Sequence, residues 1–155
     1  MATAELERLP RELPPMWFLG GVAAMWSLHT WLPLGSAVPV GWRWLGFVPM
    51  IATLPVAFAS LSRFRSAGTS IKPFGEVREL VVAWPFTWSR NPMYLALVVL
   101  SFGLALRLGS ISPLIVPPLL WWILRQRFVR REEAFLRHEL GAAYDDYCGR
   151  VRRWI

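Results

Sequence analysis

The chain of 155 residues is 55% hydrophobic with a mean hydropathy of +0.38, which indicates an integral membrane protein rather than a soluble basic domain. Its net charge of +7 therefore favours an anionic membrane face or an anionic ligand, and no nucleic-acid partner is expected. The single cysteine, Cys148, excludes an internal disulfide and a cysteine-based metal site, and no metal is predicted.

The first part of the chain predicts a polar segment followed by two membrane spans. Residues 1–15 mix acidic and basic side chains with prolines, which excludes a signal peptide and indicates an interfacial or mobile segment. The two spans are predicted within 16–62, at 16–31 and 44–61, because each apolar run is long enough to cross a bilayer.

A polar loop and a helical hairpin are predicted next. Residues 63–91 contain several charges and the breakers glycine and proline, and loops of this length are usually functional. The hairpin occupies 92–124, with its spans at 91–106 and 108–124. Both spans are short for a full crossing, so we expect them to tilt or to lie in a locally thinned bilayer.

One histidine and several prolines lie inside the predicted spans. His29 is more often an interfacial or hydrogen-bonded residue than a ligand in such a position. Pro49 and Pro55 predict a kink in the second span. Neighbouring helices are expected to satisfy the carbonyl groups that the kink frees, and the kink is also a way to open a cavity. Pro117 and Pro118 are expected to break or bend the fourth span in its middle.

The distribution of charge predicts the topology. Four crossings place both termini and the loop 63–91 on one side, which then holds 15 of the 17 basic residues, all except Arg43 and Arg107. The positive-inside rule makes that side cytoplasmic, and the expected location is a bacterial inner membrane. All ten acidic residues lie on the same side, so polar chemistry is expected there.

The tail, 125–155, is predicted to begin with an amphipathic cytoplasmic helix over 125–140. Its apolar face comprises Phe128, Val129, Phe135, Leu136 and Leu140, and its polar face comprises Arg127, Arg130, Arg137 and His138.

Two adjacent glutamates of this helix have different predicted surroundings. Glu132 follows Phe128 by four residues and so lies on the apolar face, where an unpaired carboxylate is costly. It is expected either to form a buried ion pair, with Arg90 as one candidate partner, or to bind a ligand. Glu133 lies at the edge of that face and is predicted to pair with Arg137 at the i,i+4 spacing.

Polar residues also gather where the third span begins. Pro92 suits the first turn of a helix, and Ser89 or Asn91 is predicted to cap it. The free N–H groups of that turn are able to hold an anion or a carboxylate close to Arg90. The alternative is an ordinary helix start with Arg90 anchored among lipid headgroups.

These two groups of residues carry a family resemblance. The run Arg90-Asn91-Pro92-Met93-Tyr94 resembles the R-(H/N)-P-x-Y signature of the membrane methyltransferases that include isoprenylcysteine carboxyl methyltransferase and the phospholipid methyltransferases. The pair Glu132-Glu133 stands where that family has its second signature, and 141–154 is similar to the family's ending. Trp84 is a departure, because the family often has glycine before the Pro-Phe of this region.

The resemblance implies that 1–155 is a single all-α, polytopic membrane methyltransferase domain that binds S-adenosylmethionine at its cytoplasmic mouth. It implies that cofactor contacts come from Arg90, Asn91, Pro92, Tyr94, Glu132 and Glu133, and Arg90 and Glu132 are the candidate catalytic residues. The methyl acceptor is expected to be lipophilic and to enter from the bilayer, among membrane lipids. No oligomeric state is predicted.

Each candidate has a hypothetical role in this site. Arg90 or the helix N-terminus holds the carboxylate of the cofactor, and Glu132 or Glu133 accepts hydrogen bonds from its ammonium or ribose. Tyr94 or Trp88 contacts the adenine or faces the sulfonium.

Three functions stay open from the sequence. The acceptor is an isoprenylcysteine-like carboxylate or a related small lipid, or it is a phospholipid amine. The third interpretation is a non-enzymatic membrane scaffold, which predicts no cofactor binding and tolerance of Glu132→Ala apart from stability.

Overall fold

The computed structural model of the protein describes residues 12–68 and 80–155, and within these ranges it is all-helical without a β-strand. The α-helices are α1 (Pro14–Trp31), α2 (Phe47–Ser66), α3 (Pro92–Leu108), α4 (Val116–Leu124), α5 (Arg130–Leu140) and α6 (Ala142–Arg150). Most of the predicted segment 1–15, and 69–79 of the predicted loop 63–91, lie outside the described residues.

Short non-α segments precede or join these helices. A 3-10 helix, Val40–Gly46, leads into α2, and a second, Ser112–Ile115, leads into α4. A π-helical turn, Arg125–Val129, joins α4 to α5, so the predicted tail helix starts with a wider turn and continues as α5. The helix α6 was not predicted as a separate element.

The connections after α1 and after α3 meet at one end of the helix bundle. The N–H groups of Ala37 and Val38 donate to the Gly109 carbonyl at 2.8 and 3.1 Å. Gly109 has a φ of 80°, the left-handed conformation that glycine adopts without strain. His29 Nδ1 lies 2.7 Å from Ser110 Oγ, which confirms His29 as a hydrogen-bonded residue. The starts of α1 and α3 therefore lie at the opposite end.

The N-terminal end of α2 approaches α3 closely, where Gly46, the last residue of the preceding 3-10 helix, meets Gly103. A Cβ added to Gly46 would lie 2.5 Å from the Gly103 carbonyl oxygen, and one added to Gly103 would lie 2.6 Å from the Gly46 oxygen. Small residues at such a crossing let two backbones come together. This contact fixes the position of α3, whose first turn carries the predicted site.

The prolines of the fourth span lie at a helix start rather than in its middle. Pro117 and Pro118 fall in the first turn of α4, where a missing N–H breaks no helical hydrogen bond. The predicted break within the span is therefore wrong, because the α-helical part begins only at Val116. In the second span, Pro55 lies inside α2 as predicted.

Length and hydropathy identify one helical run in the described part of the chain, Val40–Ser66, as long and apolar enough to cross a membrane. The helix α3 is also apolar but shorter.

Candidate functional site

The loop before α3 is fixed by buried aromatic side chains. It contains a cis Trp84–Pro85 bond followed by the buried Phe86. The Phe86 ring packs edge-on against Phe64 at 5.2 Å between centroids, and its carbonyl accepts a hydrogen bond from Tyr147 Oη at 2.7 Å. Burial raises the pKa of Tyr147 to about 12, so its hydroxyl keeps its proton and donates at neutral pH.

The residues after α6 run alongside this loop. The Arg90 N–H donates to the Arg152 carbonyl at 3.0 Å, and Asn91 Nδ2 donates to the Arg153 carbonyl at 3.0 Å. Ser89 Oγ accepts the Asn91 N–H at 3.1 Å. The predicted cap is wrong. Asn91 is the residue at which α3 begins, but its side chain donates to the Arg153 carbonyl of the tail instead of accepting from the first turn of the helix. The first turn of α3 therefore has no capping side chain.

Glu133 is the centre of a buried ion cluster. The residue is 4% exposed and accepts hydrogen bonds from Arg153 Nε and Nη2, at 2.9 and 2.6 Å to Oε2. Arg90 Nη2 lies 3.4 Å from its other carboxylate oxygen. The predicted pair with Arg137 is wrong, because Arg137 binds Asp145 at 2.7 Å on the exposed side. Glu133 instead points inward to the returning tail.

Within residues 12–68 and 80–155, the partner of the Glu132 carboxylate is the tyrosine of the first motif. Tyr94 Oη donates to Glu132 Oε2 at 2.7 Å, across the interface between α3 and α5. Burial of this carboxyl raises its pKa above the ordinary value, the hydrogen bond from Tyr94 lowers it, and the charge of Glu133 raises it. The ion pair with Arg90 that the sequence suggested for Glu132 is formed by Glu133.

The site also contains a cluster of two tilted tryptophan rings and an arginine, which were not predicted from the sequence. The Arg125 guanidinium lies 5.3 Å from the Trp121 ring, and the Trp121 and Trp154 rings are 5.8 Å apart. Trp154 packs against the apolar cluster that contains Tyr94. Arg125 Nε and Trp154 Nε1 are both buried, and neither has a hydrogen-bond partner in the part of the chain that the structure describes. The contact of Trp121 with Arg125 could have been predicted from their i,i+4 spacing in a helix. The contact of Trp121 with Trp154 could not, because Trp154 is distant in sequence.

The structure brings most of the predicted site residues to one end of the bundle. Two contacts join the motifs, Tyr94 with Glu132 and Arg90 with Glu133, and Asn91 and Pro92 are buried at the start of α3 between them. Trp88 lies in the same loop, but its residue is 47% exposed. Arg153, which was not predicted as a site residue, is the main partner of Glu133.

Comparison with known proteins identifies a family. A family model described as Phospholipid methyltransferase matches residues 42–143, which are 102 of the 155 residues of the chain. The match contains both motifs and the helices α2 to α5, whereas α1 and Arg153 lie outside it. No curated protein matches the chain.

Proposed function

The chain belongs to the phospholipid methyltransferase family, within the wider isoprenylcysteine carboxyl methyltransferase and phospholipid methyltransferase family, and on that premise we propose the reaction it catalyses. It transfers the methyl group of S-adenosylmethionine to a lipophilic acceptor at the cytoplasmic face of the membrane. The observation that carries this proposal is the convergence of Arg90, Tyr94, Glu132 and Glu133 at the start of α3.

The residues present fit the amino-acid part of this cofactor, which has a carboxylate and an ammonium. Among the described residues, Arg90 Nε is buried without a hydrogen-bond partner and the first turn of α3 has no capping side chain. Both features supply donors for a carboxylate. Glu132 supplies acceptor oxygens for an ammonium or for ribose hydroxyls, close to Tyr94. Pro92 and Asn91 set the backbone of that first turn.

The geometry gives Glu133 a role different from that of Glu132. Glu133 is engaged by Arg153 and Arg90, so it positions Arg90 rather than meeting the cofactor with free lone pairs. The other donors of Arg90, including its buried Nε, are then available for the carboxylate of the cofactor. Breaking this cluster would therefore impair cofactor binding indirectly, through the position of Arg90.

For methyl transfer, an enzyme mainly has to align the acceptor atom with the methyl group and to exclude water from the site. When bound, S-adenosylmethionine supplies an electrophilic methyl group on a sulfonium. Tyr94, Trp121 and Trp154 supply an apolar, aromatic wall beside Glu132. Glu132 accepts the proton that an amine acceptor must lose, whereas a carboxylate acceptor needs no base.

The proposed setting is a bacterial inner membrane with four crossings. These are α1, the run Val40–Ser66, α3, and α4 with the 3-10 turn before it. Both termini and the site are then cytoplasmic, and α5 and α6 cover the site from that side. The basic residues support this orientation, because among those that the structure describes only Arg43 and Arg107 belong to the opposite end.

Two classes of acceptor follow from the same chemistry. An isoprenylcysteine-like carboxylate or a related small lipid would pair with the guanidinium of Arg125, since Arg90 holds the cofactor. A phospholipid amine is favoured by the description of the matching family and uses Glu132 as its base. Either acceptor enters sideways from the bilayer.

The test is transfer of a labelled methyl group in membranes that contain the full-length protein. We expect label to enter the lipid extract with the wild type, and the rate to fall by about tenfold or more in Glu132→Gln. Glu139→Gln, on the exposed side of the same helix, is the matched control and should keep the wild-type rate. Wild-type rates in Glu132→Gln would contradict the assignment of this residue, and no labelled lipid with any membrane extract would favour the scaffold.

A further inference from the structure

A groove between α1 and α4 lies apart from the site described above. Its volume is about 520 Å³, within the range of about 300–1,000 Å³ that is usual for ligand pockets. The walls are apolar, with Gly20 and Ala24 on α1 facing Leu119 and Ile123 on α4. One wall belongs to α1, which precedes the residues 42–143 of the family match, so membership of the family does not account for this groove.

The groove ends at a polar pair at the same end of the bundle as the candidate active site. Glu12 Oε2 accepts hydrogen bonds from Arg127 Nη1 at 2.7 Å and from Trp17 Nε1 at 2.9 Å. The Arg127 guanidinium also lies 4.8 Å from the Trp17 ring. The side chains of Arg127 and Glu12 are 48% and 44% exposed. Exposed ion pairs stabilise a protein little, so both charges can exchange partners readily.

We propose that this groove binds one phospholipid with a zwitterionic headgroup. One acyl chain lies between α1 and α4, the phosphate binds Arg127, and the ammonium binds Glu12. The adjacent opposite charges of Arg127 and Glu12 complement a zwitterion, whereas an anionic headgroup without an ammonium would leave Glu12 facing negative charge. Trp17 stands between headgroup and chain, where interfacial tryptophans are usually found.

The size of the groove favours a hydrocarbon chain over a helix of a second copy. Gly20 and Ala24 are four residues apart, a spacing that also occurs where two membrane helices pack. A helix is about 10 Å across with its side chains, whereas a single hydrocarbon chain is narrower and adapts its shape to a groove of about 520 Å³. A single acyl chain is the thinner occupant.

The test fills the groove without disturbing its walls. A Cβ added to Gly20 meets no atom within 4 Å, so the side chain of Gly20→Leu has room to enter the groove. A Cβ added to Gly41, in the 3-10 helix before α2, is equally free, which makes Gly41→Leu the matched control. Each full-length protein is reconstituted in vesicles of equal parts phosphatidylethanolamine, phosphatidylcholine and phosphatidylglycerol. Lipid retained after extraction is counted per chain by native mass spectrometry.

The proposal expects one retained lipid per chain in the wild type, with either zwitterionic lipid favoured over phosphatidylglycerol by about tenfold. Gly20→Leu should lose that lipid, and Gly41→Leu should keep it. Glu12→Gln should still retain one lipid, with the preference shifted toward phosphatidylglycerol. Equal retention by folded Gly20→Leu, or a wild-type preference for phosphatidylglycerol, would overturn the proposal. A wild-type dimer that Gly20→Leu converts to a monomer would also overturn it, since a second copy would then be the occupant.

Discussion

Adjacent side chains of α5 face different surroundings because successive residues of a helix are rotated by about 100°. Glu133 meets two guanidinium groups, from Arg153 and Arg90, and is held as a buried anion. Glu132 meets the hydroxyl of Tyr94, and its burial opposes ionisation. One carboxylate therefore supports the architecture of the site, while the other is the better candidate for contact with reacting groups.

Removing the charge of Glu133 should destabilise the protein. Glu133→Gln leaves Arg90 and Arg153 without an anion, and breaking a fully buried pair costs about 3–5 kcal/mol. The Arg153 side chain is 37% exposed, so we expect a smaller loss, about 2 kcal/mol of the free energy of unfolding. Denaturant unfolding followed by tryptophan fluorescence measures it. Glu139→Gln should change the value by less than about 0.5 kcal/mol, and equal values for the two variants would contradict the buried cluster.

The raised pKa of Glu132 predicts a pH dependence of stability. The folded state binds the proton of this carboxyl more tightly than the unfolded state does, so its contribution is fully present below the ordinary value of 4.5. That contribution is lost as pH rises from 4.5 through the raised folded pKa. Glu132→Gln carries no titrating group, so its stability relative to the wild type should increase across this window. Unfolding measured at several pH values tests this, and a constant difference would be evidence against burial of the carboxyl.

The inward position of Glu132 was predictable from its spacing to Phe128, because helical periodicity assigns a residue to a face. The partner of Glu133 was not predictable from the sequence. Arg153 is 20 residues away in sequence, beyond α6, and no local rule gives the path by which the tail returns to the start of α3. The i,i+4 rule predicted Arg137 instead, because it considers only pairs of side chains within the same helix.

At the scale of the elements, the crossing of α2 and α3 depends on glycine. Gly46 and Gly103 leave no room for a methyl group between the two backbones. The contact lies far along α3 from its N-terminal turn, so it positions that turn only indirectly, as part of the same helix. Overpacking of a tight contact costs about 1–3 kcal/mol.

Gly103→Ala should therefore lower the free energy of unfolding by about 2 kcal/mol, because the added Cβ would lie 2.6 Å from the Gly46 oxygen. Gly149→Ala is the control, since a Cβ there meets no atom within 4 Å and the residue also lies in a helix. That variant should be neutral or more stable, as expected from helix propensity. The comparison uses the unfolding midpoint in detergent. A neutral effect of Gly103→Ala would mean that the helices are farther apart than described.

The helical segments were predicted from apolar runs and breakers, with bounds that differ by a few residues. The predicted run 16–31 corresponds to α1, and 91–106 corresponds to α3. The 3-10 segments and the π turn were missed because they depend on how neighbouring helices pack, and hydropathy does not encode that. Pro117 and Pro118 illustrate the difference, since proline marks either a kink or a helix start, and only packing decides which.

At the scale of the whole molecule, the proposed topology separates the two ends of the bundle. The end with His29, Ser110 and Gly109 is built by short connections, whereas the other end holds the charged tail and both motifs. The six acidic residues that the structure describes, from Glu12 to Asp146, belong to the charged end, where polar chemistry was expected.

Reporter fusions test that topology. A fluorescent protein that folds only in the cytoplasm, fused after Ile155, should be fluorescent, and alkaline phosphatase at the same point should be inactive. The opposite results are expected for fusions placed after Ser36, in the connection that follows α1. The charge distribution predicts this outcome, and a C-terminus outside the cytoplasm would contradict both the orientation and the cytoplasmic supply of cofactor.

The central claim is that the charged end of the bundle holds S-adenosylmethionine through Glu132 and its neighbours. The most direct measurement is calorimetric titration of the detergent-purified full-length protein with S-adenosylmethionine and S-adenosylhomocysteine, beside Glu132→Gln and Glu139→Gln. We expect micromolar binding by the wild type and by Glu139→Gln, and weakening by about tenfold or more in folded Glu132→Gln. Undetectable binding at millimolar cofactor by folded wild type, or equal affinity in Glu132→Gln, would contradict it.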